Sequence, residues 1–433
     1  MKFYSTRDKS IRVTAKEAVL NGLAPDGGLY LPETIPTLEQ EFLSKLSDKS
    51  TQEIALRIAN NFFAEDLSPQ DLEDVVLSAF NFPVPLHRLD ETRSILELFH
   101  GPTLAFKDFG ARFMARLTAK FLTDTKKKVV VLVATSGDTG GAVANGFYGI
   151  DGIQVVVLYP SGKVSQFQES QFANLGGNIS AIEIDGTFDD CQRLVKQAFS
   201  DQDLRSKFHL ASANSINISR LVPQSVYYFL AAKELNSPLP LVFSIPSGNF
   251  GNLTAGILAH RMGLNIRRLI ASTNANDIVP TYLKIGEFLP RPSIQTISNA
   301  MDVGNPSNFE RILDLFGSDL NLIREEIFGS TFSDDQTRSA MREIYARYEY
   351  ISDPHTAVGY LGLKQFEESS ADRYPGVILG TAHPIKFSEV VQETLGIEPK
   401  LPLEFHSPSG DKKLSTSSSS NYLDLKSFIS KIN

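Results

Sequence analysis

The chain has 433 residues, more than one hydrophobic core usually supports, and it is 42% hydrophobic and 21% charged, which excludes a stapled miniature and a largely disordered chain. Forty-two Lys+Arg against fifty Asp+Glu give a net charge of -8, so nucleic acid is not an expected partner; nor is a membrane, since no apolar run reaches about eighteen residues. Cys191 is the only cysteine, which leaves no internal disulfide and no cysteine-based zinc site. The start, MKFYSTRDKSIRV, lacks the apolar core of a signal peptide, and a cytoplasmic protein is expected.

In chain order, residues 1–90 differ in texture from the rest: a turn-rich GLAPDGGLYLPE precedes a helix-like region over 38–80, and this part reads as an amino-terminal cap domain. Next comes HGPTLAFKDFG. From here Phe109, Phe113, Leu117 and Phe121 step by four, which predicts a helix with Lys107 and Asp108 at its start and Asp108 as its cap. Lys126, Lys127 and Lys128 then read as a solvated loop ahead of an apolar strand.

Short runs rich in valine, isoleucine and leucine follow at 129–133, 155–158, 241–245, 268–271 and 377–379, with helical patterns between several of them. Strands buried on both faces of a parallel sheet have this composition, so the fold class is α/β. Ligands of such sheets bind at the carboxyl ends of strands, which directs attention to ATSGDTGG, SIPSGNFGN and GTAHP. The serine-rich stretch 407–421 reads as a surface loop.

Three of these features carry chemistry on their own residues. A lysine at a helix start opposes the macrodipole, and Leu104, Ala105 and Phe106 offer it little polarity. Such a desolvated amine is nucleophilic near neutral pH; a snorkelling surface lysine is the plainer alternative. The loop 247–252, SGNFGN, lies between a strand and a helical pattern and suits a phosphate without any basic residue, though it reads equally as a tight strand-to-helix turn. In the second loop, 135–141, hydroxyls and amides suit another anion, such as a carboxylate.

Other motifs fail. Ser161-Gly162-Lys163 resembles the end of a P-loop, but Val157 and Val164 occupy the positions of its first glycine and its hydroxyl residue. There is no G-x-S-x-G, G-x-G-x-x-G or H-E-x-x-H, so metal and serine-hydrolase readings lapse. His355 and His383 read as structural, hydrogen-bonded histidines.

Taken together, KFYSTRD, PDGGLYLP, HGPTLAFKDFG, ATSGDTGGAV, SANSINISR, PSGNFGN, NAMDVGNPSN and GTAHPIKF resemble the motifs of the threonine synthase family of bacteria and fungi, over nearly the whole chain. The resemblance implies a fold type II pyridoxal-phosphate enzyme: open, mostly parallel sheets with helices on both faces, in two main domains plus the cap region. The expected division is 1–90, then 91–215 with Lys107 and SGDTG, then 216–433 with SGNFG and GTAHP. The activity it implies is that of a carbon–oxygen lyase, converting O-phospho-L-homoserine and water into L-threonine and phosphate in the last step of threonine biosynthesis.

Residue by residue, the resemblance implies that Lys107 is the Schiff-base lysine and proton carrier. It implies that Ser247, Gly248, Asn249, Phe250, Gly251 and Asn252 hold the cofactor phosphate and that Thr381 faces its pyridine nitrogen. Thr103, Ser136, Gly137, Asp138 and Thr139 would meet the substrate, and Lys163, Asn214, Ser215, Asn217 and Arg220 its phosphate. Many relatives in the wider fold group carry asparagine where Asp138 stands, so its place beside the pyridoxal 3-oxygen requires a shared proton or a turn away. No metal is implied, and a monomer is expected. The rival readings are a dehydratase or β-replacement enzyme acting on serine or threonine, a phospho-lyase, and a catalytically silent ligand-binding relative.

Overall fold

The computed structural model describes residues 1–122, 128–403, 405 and 412–432. Lys126, Lys127 and the first part of the serine-rich stretch lie outside the described residues. The strands in chain order are β1 (Lys2–Ser5), β2 (Arg12–Thr14), β3 (Tyr30–Pro32), β4 (Leu86–Arg88), β5 (Arg93–Glu97), β6 (Val129–Ala134), β7 (Ile153–Pro160), β8 (Ile179–Asp185), β9 (His209–Ser212), β10 (Leu241–Pro246), β11 (Ile266–Thr273), β12 (Ile327–Thr331), β13 (Gly376–Gly380) and β14 (Thr416–Ser419).

They form three sheets: a small antiparallel one, β2-β1-β3, and two larger ones, β12-β11-β10-β13-β5-β4 and β14-β8-β7-β6-β9. Every pairing in the five-stranded sheet is parallel. In the six-stranded sheet only the edge pair β4–β5 is antiparallel.

Alternation along a strand explains why the valine runs are apolar throughout. Val129, Val131 and Val133 enter the core on one face of their sheet, while Val130, Leu132 and Ala134 enter the core on the other. All six residues of β10 are likewise buried.

The predicted helix spans Lys107–Phe121, and its two faces serve two cores. Phe109, Phe113, Leu117 and Phe121 pack with the amino-terminal helices, Phe109 meeting Phe82 edge-on at 4.9 Å between ring centroids; Ala111, Met114 and Ala115 face the five-stranded sheet. At Gly110 a Cβ would lie 2.7 Å from the carbonyl of Arg220, so only glycine lets the backbone bearing Arg220 approach the helix that begins with Lys107.

The sheets cross the boundaries expected from the sequence. β4 and β5 belong to the six-stranded sheet, β5 pairing with β13, and β14 returns to the edge of the five-stranded sheet beside β8. The helix Tyr422–Ser430 follows it, burying Leu425 and Ile429 in the same core as β6 and β8. A contiguous division at 91, 215 and 433 therefore does not coincide with the packing. Within the stretch 407–421, whose composition predicts a loop, residues 416–419 instead form an edge strand with polar side chains, because pairing with β8 supplies the backbone partners that composition alone does not announce.

Candidate active site

The carboxyl ends of β6, β9, β10 and β13 converge on one cavity of about 460 Å³, lined among others by Lys107, Ser136, Asp138, Asn214, Arg220, Asn249 and Thr381. Lys107 reaches it through a tight reversal. Leu104 adopts a left-handed conformation (φ 56°), Ala105 bridges antiparallel to Ala382, and Phe106 begins the turn into the helix. The lysine side chain is 16% exposed, and burial, first among several causes, lowers its pKa. Asp138 opposes that effect; Lys386 and Arg220 reinforce it.

Asp138 is ionised. Its Oδ2 lies 3.5 Å from Lys107 Nζ, and its Oδ1 lies 2.9 Å from both Lys386 Nζ and Gln168 Nε2. Burial alone would raise its pKa, but the two ammonium groups outweigh that and hold the carboxyl far below the ordinary aspartate value.

The SGNFGN loop turns through Phe250 (φ 59°) into the helix Gly251–Arg261. Ser247 Oγ donates to Asn252 Oδ1 at 2.7 Å, and Asn252 Nδ2 donates to the Pro246 carbonyl at 2.8 Å. Among the described residues the amides of Gly248, Asn249, Phe250, Gly251 and Asn252 have no acceptor, and they open on the cavity at a helix N-terminus. A Cβ on Gly248 would stand 2.7 Å from Met301 Cα, so the loop lies directly against residues 299–305. Such a cradle fits a phosphate ester, and Lys107 and Thr381 on the same cavity fit the remainder of pyridoxal phosphate.

On the same cavity, Arg220 is buried with one guanidinium nitrogen, Nη1, donating to the Ala213 carbonyl at 2.6 Å. Its Nε and the Oδ1 of Asn214 have no partner among the described residues, and burial lowers the arginine to about 10. Nε is enclosed beside Gly110 and does not open on the cavity, but the guanidinium charge lines the cavity with a single protein hydrogen bond, which suits an anion.

Several expected site residues stand elsewhere. Thr103 is fully buried; its N–H and hydroxyl donate to Asp108 at 2.8 and 2.7 Å, so it folds the Lys107 loop and does not face the cavity. Asp108 correspondingly closes that loop and does not cap its helix, whose first flanking residue is Phe106. Gly137 packs on Gln168, and Thr135 Oγ1 accepts from the amides of Gly137 and Gly140, which are thereby unavailable to an anion. Ser247 braces its loop from beneath. Asn217 caps the turn Ile218–Leu221 through Ser219, and Lys163 lies exposed beyond β7, outside the cavity lining.

The sequence assigns no role to other lining residues: Arg291 and Phe188 lie outside the quoted motifs, and Asp302 lies within NAMDVGNPSN. His355 lines the cavity too, but its Nδ1 lies 2.8 Å from Asp353 and its Nε2 accepts from Ala300 N–H, so its ring is committed to structure. His383 accepts from Ile385 N–H, and burial holds it down to about 4. Among the described residues no group of side chains could hold a metal ion, and no helix is long and apolar enough to cross a membrane.

The comparisons with known proteins agree along the whole chain. The family model for pyridoxal-phosphate dependent enzymes matches residues 81–379, flanked by models for the threonine synthase N terminus at 2–80 and the threonine synthase C-terminal region at 356–429. A threonine synthase of Serratia marcescens is 46% identical over 405 residues, 93% of this chain and 92% of that protein. The chain belongs to the threonine synthase family.

Among solved structures of the family, threonine synthase from Escherichia coli superposes with a TM-score of 0.92 at 42% identity, with 100% of both chains covered. Pyridoxal-phosphate-bound threonine synthase from Brucella melitensis gives 0.93 at 36% identity, covering 99% of this chain and 98% of that one. The fold is that of the pyridoxal-phosphate dependent enzymes, and pyridoxal phosphate is the family's cofactor.

Proposed function

We propose that this chain converts O-phospho-L-homoserine and water into L-threonine and inorganic phosphate, with pyridoxal phosphate held through Lys107. One observation carries the reading: a single buried amine shares a cavity with two anion-binding features, the amides of 248–252 and the buried guanidinium of Arg220 beside Asn214. One serves the cofactor phosphate and the other the phosphate of the substrate.

Pyridoxal phosphate, when bound, supplies the electron sink that makes the substrate's carbon-bound protons acidic. The chain does the rest. Lys107 Nζ takes the proton from Cα and gives it up to the conjugated system that the bound cofactor would extend; free again, it takes a proton from Cβ and returns it at Cγ once phosphate has left, and the first proton is restored to Cα after water has added. Its lowered pKa favours the free amine this requires. Arg220 and Asn214 grip the phosphate and stabilise the charge that builds on it as the Cγ–O bond breaks. Ser136 and Thr139, on the same cavity, orient the substrate carboxylate. The released phosphate, still on Arg220, draws a proton from the water that adds at Cβ. Thr381 offers the pyridine nitrogen a hydroxyl in place of a carboxylate, so proton handling falls on Lys107.

A dehydratase acting on unphosphorylated serine or threonine would leave the Arg220 cradle without a ligand. The chain acts on this reading as a cytoplasmic monomer, for which the buried free thiol of Cys191 is suited; sedimentation velocity tests the monomer. The deciding experiment supplies purified protein and pyridoxal phosphate with O-phospho-L-homoserine. Equal amounts of threonine and phosphate are expected, whereas phosphate with an oxo acid would make the protein a lyase of another kind.

A further inference from the structure

Lys386 arrives from the short turn Pro384–Phe387 that follows β13, and its side chain is 0% exposed. Its Nζ is enclosed by three acceptors: the Thr103 carbonyl at 2.7 Å, Gln171 Oε1 at 2.9 Å and Asp138 Oδ1 at 2.9 Å. An ammonium has three protons, and all three are used. Lys386 is absent from the cavity wall, so it touches neither substrate nor cofactor. A buried ion pair of this kind is weak support for stability, since desolvation offsets much of its attraction.

We propose that Lys386 is a positioning residue for Lys107: by holding the Asp138 carboxylate at hydrogen-bond distance from itself, it keeps Asp138 from closing an exclusive ion pair with the reacting amine. The two distances decide the sharing. At 2.9 Å Lys386 makes a direct hydrogen bond with Oδ1, while Lys107 at 3.5 Å from Oδ2 stands at the limit of one. Lys386 also joins elements from both large sheets, because Asp138 follows β6 and Gln171 lies in the helix Gln166–Ala173, whereas Lys386 itself follows β13.

The groups facing Lys107 are Asp138, Lys386, Arg220 and the Phe106 ring at 5.9 Å. Those acting on the Asp138–Lys386 pair are Lys107 and Gln168 on the acid side, with Asp108 and His383 in electrostatic reach of Lys386. Without the Lys386 charge, Asp138 has one cation left to face. It closes on Lys107, and the amine stays protonated to higher pH. The inference rests on Lys107 being the amine that captures the cofactor.

The test follows the visible band formed when pyridoxal phosphate is added to the full-length, cofactor-stripped chain, as a function of pH, for the parent, Lys386→Gln, Asp138→Asn and the double variant. In Lys386→Gln the pH midpoint of capture is expected to rise by about 1, with capture at pH 7 slowed about tenfold, because each tenfold rise in proton affinity leaves a tenth of the free amine. A folded Lys386→Gln with the parental midpoint would overturn the proposal, since a merely structural lysine would lower the melting temperature and leave the midpoint in place. Should that variant not fold, the double variant buries no lone charge; its midpoint is expected to equal that of Asp138→Asn, because the effect runs through the carboxylate, and a midpoint clearly above it would overturn the proposal by showing that Lys386 acts on Lys107 without Asp138. A Lys107→Ala chain that still forms the band, or a parent that never does, refutes the assignment of Lys107 instead.

Discussion

The amide of Phe106 donates to the carbonyl of Thr381 at 2.9 Å. With the bond from His383 N–H to the Leu104 carbonyl at 3.0 Å, it fixes the segment before Lys107 to the end of β13 through backbone groups alone. The position of the lysine therefore does not depend on its own side chain. Lys107→Ala is expected to melt like the parent while losing the cofactor's visible band and several orders of magnitude in turnover, because nucleophile and proton carrier go together. Retained threonine formation would remove Lys107 from the chemistry.

The Arg220 side chain makes one protein hydrogen bond, from Nη1, and its guanidinium lines the cavity. Arg220→Ala should lower kcat/KM for the phosphorylated substrate by roughly ten- to a hundredfold, the scale of a lost charge-assisted hydrogen bond, mostly as a higher KM. Steady-state kinetics with phosphorylated and unphosphorylated homoserine checks this: discrimination between the two should shrink. An unchanged KM would place the substrate phosphate elsewhere.

Gly248 faces the Met301 backbone at a distance where no Cβ fits. In Gly248→Ala either the phosphate loop or residues 299–305 must move, at a cost of about 1–3 kcal/mol. The expected result is a lower melting temperature together with weaker pyridoxal-phosphate binding, read by titrating the visible band. Normal binding in a destabilised protein would mean that the displacement falls wholly on the 299–305 side.

Asp302, on the cavity wall, accepts hydrogen bonds from Thr296, Asn274 and Asn276, yet burial pushes its carboxyl up from 3.8 to about 6. An acid whose folded pKa exceeds its unfolded one holds its proton more tightly when folded. Its contribution is therefore greatest at low pH and is lost as the pH rises to about 6, on the order of 3 kcal/mol in all. Asp302→Asn has no such titration. Melting temperatures of variant and parent from pH 4 to 7 should drift in favour of the variant, and a constant gap would show that Asp302 ionises without penalty.

The long, regular features are legible in the sequence. Phe109, Phe113, Leu117 and Phe121 announce their helix, and the valine runs of β6 and β7 announce a parallel sheet, because burial on both faces leaves a continuous apolar record. The strands β5, β9 and β12 leave no such record, being four or five residues long with polar residues among them. The phosphate loop is legible because a strand, two glycines and a helix are adjacent in the chain. Lys386 and Asp302 stand within GTAHPIKF and NAMDVGNPSN, but their roles are not legible, since their surroundings are assembled from segments far apart: nothing near Lys386 in sequence indicates that Asp138 and Gln171 will enclose it. Thr103 and Asn217 are polar residues beside site residues, and hydrogen bonds with Asp108 and with Ser219 within their own loops claim them first.

The return of β14 to the edge of β8 also has a meaning in time. During synthesis β8 emerges long before its last neighbour exists, so the growing chain holds an open row of unpaired amides and carbonyls along that strand. The partner that finally covers it is a run of small hydroxyl residues with little tendency to aggregate by itself. Closure of the sheet thus waits on late translation, and a ribosome stalled before residue 416 would present β8 as a template for pairing with other chains.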